Sequence, residues 1–163
     1  MGEDLGKREF MKNIVFLMLG LLVMGYAEEE RPMVYPFDVT LGGQKAEMGD
    51  WGDLFAVVKK PVKADATLAL DKEVPMIIVN AFPCEEDGTI LMNGAPAAII
   101  LGQKTAEVKL DATMDKKKLA AGTYLMNVVA DGKTSRVVFT VTDGAKKIVL
   151  PDFKKLADFL RGK

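Results

Sequence analysis

The residue types that carry most enzymatic chemistry are sparse in this chain. Its 163 residues include no histidine, which removes Ser-His-Asp and Cys-His nucleophiles and the commonest zinc ligand. No phosphate-binding loop or dinucleotide-binding fingerprint occurs in the sequence. We therefore expect a protein that is not an enzyme and that uses no cofactor or metal.

Cys84 is the single cysteine, so the chain cannot form an internal disulfide. It precedes Glu85, Glu86 and Asp87, whose negative charges raise the pKa of a neighbouring thiol and disfavour the nucleophilic thiolate. The simplest interpretation is a small, semi-buried side chain. The alternative is a reactive thiol, available for modification or for a bridge to another chain.

Trp51 has the sequence setting that best suits ligand binding. It lies in "GDWGD", between Asp50 and Asp53 and flanked by glycines. From such a polar loop an indole ring can stack on a sugar or anchor a protein interface. The competing interpretation is that Trp51 caps one end of the hydrophobic core.

The elements that hold these residues follow a targeting signal. From Met11 the sequence reads "MKNIVFLMLGLLVMGYA", with a lysine, an apolar run and then small residues at Gly25 and Ala27, which is the order of a secretory signal peptide. The apolar run is shorter than the ~20 residues of a membrane-spanning helix, although an uncleaved anchor is the alternative. We predict an N-terminal extension and signal peptide over residues 1–27, and a periplasmic or secreted protein that is not membrane-bound after cleavage.

The remaining chain has the composition of one globular domain. The whole sequence is 49% hydrophobic and 28% charged, with a formal net charge of −1. Its lysines are interspersed with acidic residues, so no basic surface for nucleic acid is expected. We predict one folded domain over residues 28–150, followed by a C-terminal helix over residues 151–163.

Alternation of apolar and polar residues indicates β-strands along residues 28–150. "MIIVNAF", residues 76–82, is apolar on both faces, which suits a central strand. Asn93-Gly94 predicts a tight hairpin turn between two apolar runs. Two other segments place every second residue on one apolar face: Tyr35, Phe37, Val39 and Leu41 in the first, and Val62, Ala64, Ala66, Leu68 and Leu70 in the second.

Residues 119–141, "LAAGTYLMNVVADGKTSRVVFTV", predict a second hairpin. Apolar residues alternate on both sides of Asp131-Gly132, a dipeptide that favours a two-residue turn. Seven or eight short strands are predicted in total, with no helices alternating between them. We therefore expect an all-β fold, an antiparallel β-sandwich with Greek-key connections.

The segment "LAAGTY" has the residue spacing of a tyrosine corner. In this interpretation Leu119 fills the core, Gly122 permits the bend, and the Tyr124 hydroxyl bonds to backbone a few residues upstream. The segment resembles Ig-like and fibronectin-III-like modules of exported bacterial proteins, including the flagellar hook-cap Ig-like domain and periplasmic copper-resistance sandwiches. The resemblance implies an Ig-like β-sandwich rather than a particular activity.

The last residues predict an amphipathic helix. Pro151 and Asp152 can start and cap it, and "KKIVL" before them is a candidate for one more short strand. We expect the helix to pack against the domain's own sheet, and binding to a partner is the alternative. Its apolar residues recur at helical spacing: Phe153, Leu156, Ala157 and Leu160.

Two non-catalytic functions follow from these patterns. The favoured one is an interaction or assembly module that binds another envelope or extracellular protein through its sheet edges or loops. The alternative is a periplasmic carrier of carbohydrate or of a soft metal such as copper. The copper-resistance resemblance draws attention to thioether donors, although copper sites of that family also use histidine. The methionines after residue 27 are Met33, Met48, Met76, Met92, Met114 and Met126.

Overall fold

A computed structural model of the chain describes residues 35–51, 54–91, 95–145 and 148–162. The predicted signal peptide, the Asn93-Gly94 turn and Asp53 lie outside the described residues. Strands dominate the described residues, and one short helix follows them. The all-β class and the C-terminal helix are therefore confirmed.

Within the described residues, seven strands form one hydrogen-bonded sheet that curls as a half-barrel. The order is β2-β1-β4-β6-β7-β3, and β5 pairs with β4. The β3–β7 pair is parallel and the other pairs are antiparallel. The elements are β1 (Val39–Leu41), β2 (Gln44–Lys45), β3 (Ala56–Val57), β4 (Thr67–Cys84), β5 (Ala98–Lys109), β6 (Gly122–Ala130), β7 (Lys133–Val141) and α1 (Phe153–Leu160).

The long strand β4 joins two segments that the sequence pattern predicts as separate strands. Its first part pairs with β1 and its second part pairs with β6. β5 follows both parts, but the register shifts between Ala69 and Val74. There the β4 residues 70–73 face a single β5 residue, and such a bulge bends a strand and increases its twist. The bend lets one continuous strand change neighbours, so the prediction of two separate strands was wrong.

The hairpin of β6 and β7 is confirmed at its predicted turn. Ala130 pairs with Lys133, and the two residues between them have positive φ angles, 50° at Asp131 and 71° at Gly132. A type I′ turn needs positive φ at both positions, and Asp-Gly tolerates them. By contrast, Ile90 forms only an isolated bridge with Cys84 in the region before the predicted Asn93-Gly94 turn.

The sheet buries side chains on both of its faces. We call the face of the larger hydrophobic cluster the inner face, and the opposite face the outer face. In β6 and β7 the inner face carries the residues that alternation predicts, and all of them are buried: Tyr124, Met126, Val128, Ala130, Val137, Phe139 and Val141.

Helix α1 covers part of the outer face. Asp152 caps it by accepting hydrogen bonds from the backbone N–H groups of Lys154 and Lys155, at 3.0 and 3.2 Å. The predicted packing of the helix against its own sheet is confirmed, because Leu156 and Ala157 are fully buried there. No strand forms over the described residues 148–150. The helix shares a second cluster with Phe55, Cys84, Ile90, Leu125 and Val138.

The loop after β4 holds the start of α1 in place. The Asp152 N–H donates to the Glu86 carbonyl oxygen at 3.0 Å. Gly88 has a φ of +85°, and a Cβ at this position would lie 2.6 Å from both the Asp152 oxygen and the Leu156 nitrogen. Only glycine fits this backbone conformation and this close approach without a shift of the helix.

Candidate functional site

Trp51 lies against the C-terminal helix. Its ring is partly buried at the margin of the outer-face cluster, and the Arg161 guanidinium carbon lies 5.7 Å from the ring centre, within cation–π range. The Trp51 carbonyl accepts hydrogen bonds from the Leu54 and Phe55 N–H groups at 2.8 and 3.0 Å. Asp50 beside it is exposed. Trp51 therefore covers one edge of the outer-face cluster, and Arg161 lies over its ring.

Cys84 ends β4 inside the outer-face cluster. It is buried, and its Sγ donates to the Glu85 carbonyl oxygen at 3.6 Å. The pKa of the thiol is raised to about 11, mainly by burial and in smaller part by the charges of Asp87 and Glu85. The thiolate is the reactive form, so this environment disfavours nucleophilic chemistry.

Tyr124 makes the hydrogen bond that defines a tyrosine corner. Its hydroxyl donates to the Ala120 carbonyl oxygen at 2.9 Å, and its ring stacks on Phe139 with centroids 5.7 Å apart. Leu119 is buried in the inner cluster. Gly122 begins β6 without a positive φ, and the atoms nearest to an added Cβ would belong to Tyr124, at an ordinary contact distance of 3.8 Å. The freedom expected of Gly122 is therefore not needed for the bend.

Tyr35 makes a second tyrosine clamp that sequence reasoning missed. Its hydroxyl donates to the Ala46 carbonyl oxygen at 3.2 Å and accepts from the Val39 N–H at 2.9 Å. It thereby ties the ends of the β1–β2 hairpin together. The alternating pattern placed Tyr35 on an apolar face, but nothing in its spacing indicated which backbone groups its hydroxyl would reach.

The outer face has a second half that α1 does not cover. Along β4 the side chains of Phe82 and Cys84 lie in the cluster below the helix, whereas Met76 is 46% exposed and Leu101 on β5 is 47% exposed. Cross-strand register places Leu101, Ile78 and Val129 in one row. We call this region the open half; its outward residues are Met76, Ile78, Asn80, Ile99, Leu101, Asn127, Val129 and Arg136.

A polar row crosses the open half beside this apolar row. Asn80 pairs with Asn127, and Asn127 pairs with Arg136. The Arg136 Nε donates to the Asn127 Oδ1 at 3.4 Å. Burial lowers the pKa of the Arg136 guanidinium. The row therefore carries a cation that is partly withdrawn from water.

Two shallow clefts lie at the β6–β7 turn, and one of them borders the open half. One, of about 290 Å³, has a mostly apolar lining that includes Met76, Ile78 and Val129. The other, of about 240 Å³, lies beside it, and both are lined by Ala130 and Asp131. Lys72 forms an ion pair with Asp131 at 3.0 Å. The open half therefore ends at an apolar cleft, and the ion pair of Lys72 with Asp131 lies at the edge of this cleft.

Two features are absent from the described residues, a cluster of metal-binding side chains and a membrane-spanning helix. No group of three or more histidine, cysteine, aspartate or glutamate side chains among them is arranged to hold a metal. Of the methionines considered as copper donors, Met126 is fully buried on the inner face and Met76 lies on the outer face. In the part of the chain that the structure describes, no helix has the length and hydropathy that crossing a membrane requires.

Comparison of the chain with models of known protein families, with curated proteins and with solved structures gives no match.

The open half had a partial signal in the sequence. Residues 76–82 are apolar on both faces, which predicted burial on both sides of a central strand. Both Phe82 and Ile78 are partly buried, but Phe82 packs on the cluster below α1, whereas Ile78 pairs with the 47% exposed Leu101. The position of α1 decides which part is covered, and that position depends on long-range packing that alternation does not encode.

Proposed function

We propose that this chain is an exported, non-catalytic module that binds another protein of the cell envelope or the extracellular space. The observation that carries the proposal is the open half of the outer face. Large apolar side chains stand there half exposed in adjacent rows, and contiguous apolar surface of this kind is typical of protein-binding sites.

A binding surface on the sheet face is favoured over one on the edge of β5. Lys104 on this edge has a φ of +46°, which interrupts regular pairing, and the Met114 N–H already donates to the Ile99 carbonyl oxygen at 2.8 Å. Lys109 ends the strand. Irregular backbone and lysines on an edge strand disfavour the addition of another strand.

We infer that the half-barrel belongs to the Ig-like or fibronectin-III-like class of β-sandwich. In this interpretation β1, β2 and the first part of β4 contribute one layer, and β6, β7 and β3 contribute the other. The Tyr124 hydrogen bond supports it, since tyrosine corners are typical of Greek-key sandwiches.

The ligand-carrier alternative has weaker support. Trp51, its best sugar-binding candidate, is occupied by Arg161 and by the cluster under α1. Binding of a glycan to this ring would require displacement of the cation–π contact. The raised pKa of Cys84 likewise supports a non-catalytic role.

The test is capture of partners from the native envelope by purified, tagged chain in three forms. Wild type and Val149→Asp are expected to capture the same defined protein, because Val149 is 53% exposed beside Thr123, six residues along β6 from Val129 of the open half. Ile78→Asp is expected to lose it, because a charge would stand in the apolar row. Equal capture by all three forms, or a defined protein captured by none, would contradict the proposal.

Export is tested separately. We expect the N-terminus of the mature protein, read by mass spectrometry of the envelope or medium, to be Glu28. A chain that retains residues 1–27 in those fractions would contradict cleavage.

A further inference from the structure

Arg136 occupies an unusual position for a cation on this sheet. It lies on the outer face at the end of the polar row, while its neighbours Ser135 and Val137 on β7 are fully buried on the inner face. With adjacent strands about 4.8 Å apart, Asn80, Asn127 and Arg136 form a line about 10 Å long. The line lies between the apolar row of Ile78 and the part of the sheet below α1.

The guanidinium of Arg136 forms no ion pair with a carboxylate in the described part of the chain. Its hydrogen bond there is the long contact from Nε to Asn127, and no described carboxylate lies within 4.0 Å of it. Burial lowers its pKa, and no neighbouring acid offsets that effect. A guanidinium presents five N–H donors in a planar fork that matches the two oxygens of a carboxylate.

The adjacent apolar row supplies the second part of a binding site. Leu101, Ile78 and Val129 are paired across β5, β4 and β6, two residues along each strand from the polar row. Two residues of a strand span about 7 Å. Ile78 also lies two strands from Arg136, so the two residues are about 12 Å apart on the sheet. A side chain that packs on Ile78 and a carboxylate that pairs with Arg136 can therefore come from residues about two turns apart on one helix.

The size of the open half argues for a short segment rather than a second folded domain. It spans four strands and about four residues along each, which is roughly 14 Å by 14 Å, or about 200 Å² of flat surface. Stable complexes between folded proteins bury about 800 Å² on each partner. A single short helix or strand is large enough to cover this area. A second copy of the whole chain would need an interface about four times larger, most of which would lie outside the open half.

Helix α1 shows which kind of element fits this face. It starts at the loop after β4, where Asp152 bonds to Glu86, and it ends with Arg161 over Trp51, before β3. It therefore crosses the strands above Leu125 and Val138. Packed helices lie 8–10 Å apart, so a second helix alongside α1 would lie over the polar row and the apolar row of Ile78.

We propose that the open half binds a short amphipathic helix of a partner protein, whose apolar side chains pack on the row of Ile78 and whose aspartate or glutamate pairs with Arg136. This inference rests on the proposed function and names the chemistry of the partner. Removal of Arg136 then leaves an unpaired carboxylate in a partly desolvated interface, which weakens binding strongly.

A displayed library of helical peptides tests this chemistry without the native partner. Peptides are selected on the wild-type chain after depletion on Ile78→Asp. We expect the enriched peptides to share an apolar stripe with one acidic residue. Enriched peptides that lack an acidic residue, or a failure to enrich any peptide that depends on Ile78, would overturn the proposal.

A double-mutant cycle then assigns the carboxylate to Arg136. Arg136→Gln and replacement of the peptide's acidic residue by its amide are each expected to weaken binding about tenfold or more, and the combination no further. Arg136→Lys keeps the positive charge but loses the planar fork of donors, so its affinity for the peptide is expected to lie between those of the wild type and Arg136→Gln. Lys63→Gln removes one exposed positive charge elsewhere and should leave affinity unchanged. Additive losses, or unchanged affinity for Arg136→Gln, would refute the pairing.

Thermal unfolding of Arg136→Gln and Leu101→Ser checks that any loss of binding is not a loss of folding. Leu101→Ser serves as the second face variant if Ile78→Asp does not fold. The peptides come from a library and not from the native partner. If none binds as expected, the result therefore rejects only the inference that the open half binds a helix with an acidic residue. Capture of a native protein that depends on Ile78 would still support the proposed function.

Discussion

The two halves of the outer face are built from the same strands and differ in what covers them. Ile78 and Phe82 are four positions apart along β4, and both side chains point outward. Phe82 packs in the cluster that α1 closes, whereas Ile78 stands in a row beside the exposed Leu101. Alternation of apolar residues therefore identifies a sheet face with apolar side chains. Which part of that face is buried depends on where α1 packs.

The largest contrast is expected from matched leucine truncations. Leu156 is fully buried under α1, so Leu156→Ala should lower the free energy of unfolding by about 3 kcal/mol through lost burial and a cavity. Leu101 is 47% exposed, so Leu101→Ala should cost less than about 1 kcal/mol. Urea denaturation measures both. Equal losses would show that the open half is packed as tightly as the covered half.

A pair of glycine substitutions sharpens the same contrast at the start of α1. Gly88 and Gly144 have similar φ angles, +85° and +81°. A Cβ added at Gly88 would lie 2.6 Å from backbone atoms of α1, whereas a Cβ added at Gly144 would have no neighbour within 4 Å. Gly144→Ala should cost about 1 kcal/mol from the left-handed conformation alone. Gly88→Ala should cost at least about twice that, because the helix must also move. Similar costs in urea denaturation would mean that α1 does not depend on this close approach.

The local features of the fold were predictable from sequence because short-range chemistry determines them. Asp131-Gly132 accepts the positive φ angles of a tight turn, and Asp152 can cap only the helix that follows it. The continuity of β4 was not predictable, because the bulge between Ala69 and Val74 depends on pairing with β5. Long-range register of this kind leaves no fixed signature in one strand's sequence.

The candidate site shows the same division. Sequence placed Trp51 in an open loop, but its contact with Arg161 joins residues more than a hundred positions apart. The polar row of Asn80, Asn127 and Arg136 also forms only through register. Its members look like ordinary solvent-facing residues when each strand is considered alone.

The reactivity of Cys84 reports whether the covered half stays closed. Its pKa is raised to about 11 from an ordinary value of 9.0, mainly by burial. At pH 8 we expect alkylation about a hundredfold slower in the native chain than in urea, since the thiolate fraction falls tenfold per pKa unit. Leu156→Ala should accelerate it by opening the cluster. Equally fast labelling of the native and unfolded chain would contradict closure.

The same raised pKa fixes the sign of a pH effect on stability. The native state holds the Cys84 proton more tightly than the unfolded state. The contribution of the protonated Cys84 thiol to the free energy of unfolding is therefore fully present below about pH 9, and it decreases as the pH rises towards 11. Cys84→Ser should remove this part of the decline in urea titrations across that range, and an identical decline in both proteins would contradict it.

The smallest effect is expected at Thr140, a buried residue on the outer face of β7. Its Oγ1 has no hydrogen-bond partner within the described residues, so Thr140→Val should leave stability unchanged or raise it by up to about 1 kcal/mol. Thr113 is the control, because its Oγ1 donates to the Lys117 carbonyl oxygen at 2.7 Å. Thr113→Val should cost about 1 kcal/mol in urea denaturation. A loss at Thr140 as large as at Thr113 would show that its hydroxyl is satisfied.

The most direct measurement of the central claim is site-specific photo-crosslinking in the cells that produce the chain. A photoreactive residue replaces Leu101 in the open half or, as the control, the exposed Val149 beside Thr123 at the other end of β6. We predict one defined protein adduct from position 101, which Ile78→Asp abolishes and Arg136→Gln weakens, and no such adduct from position 149. No adduct from position 101, or the same adducts from both positions, would contradict the account.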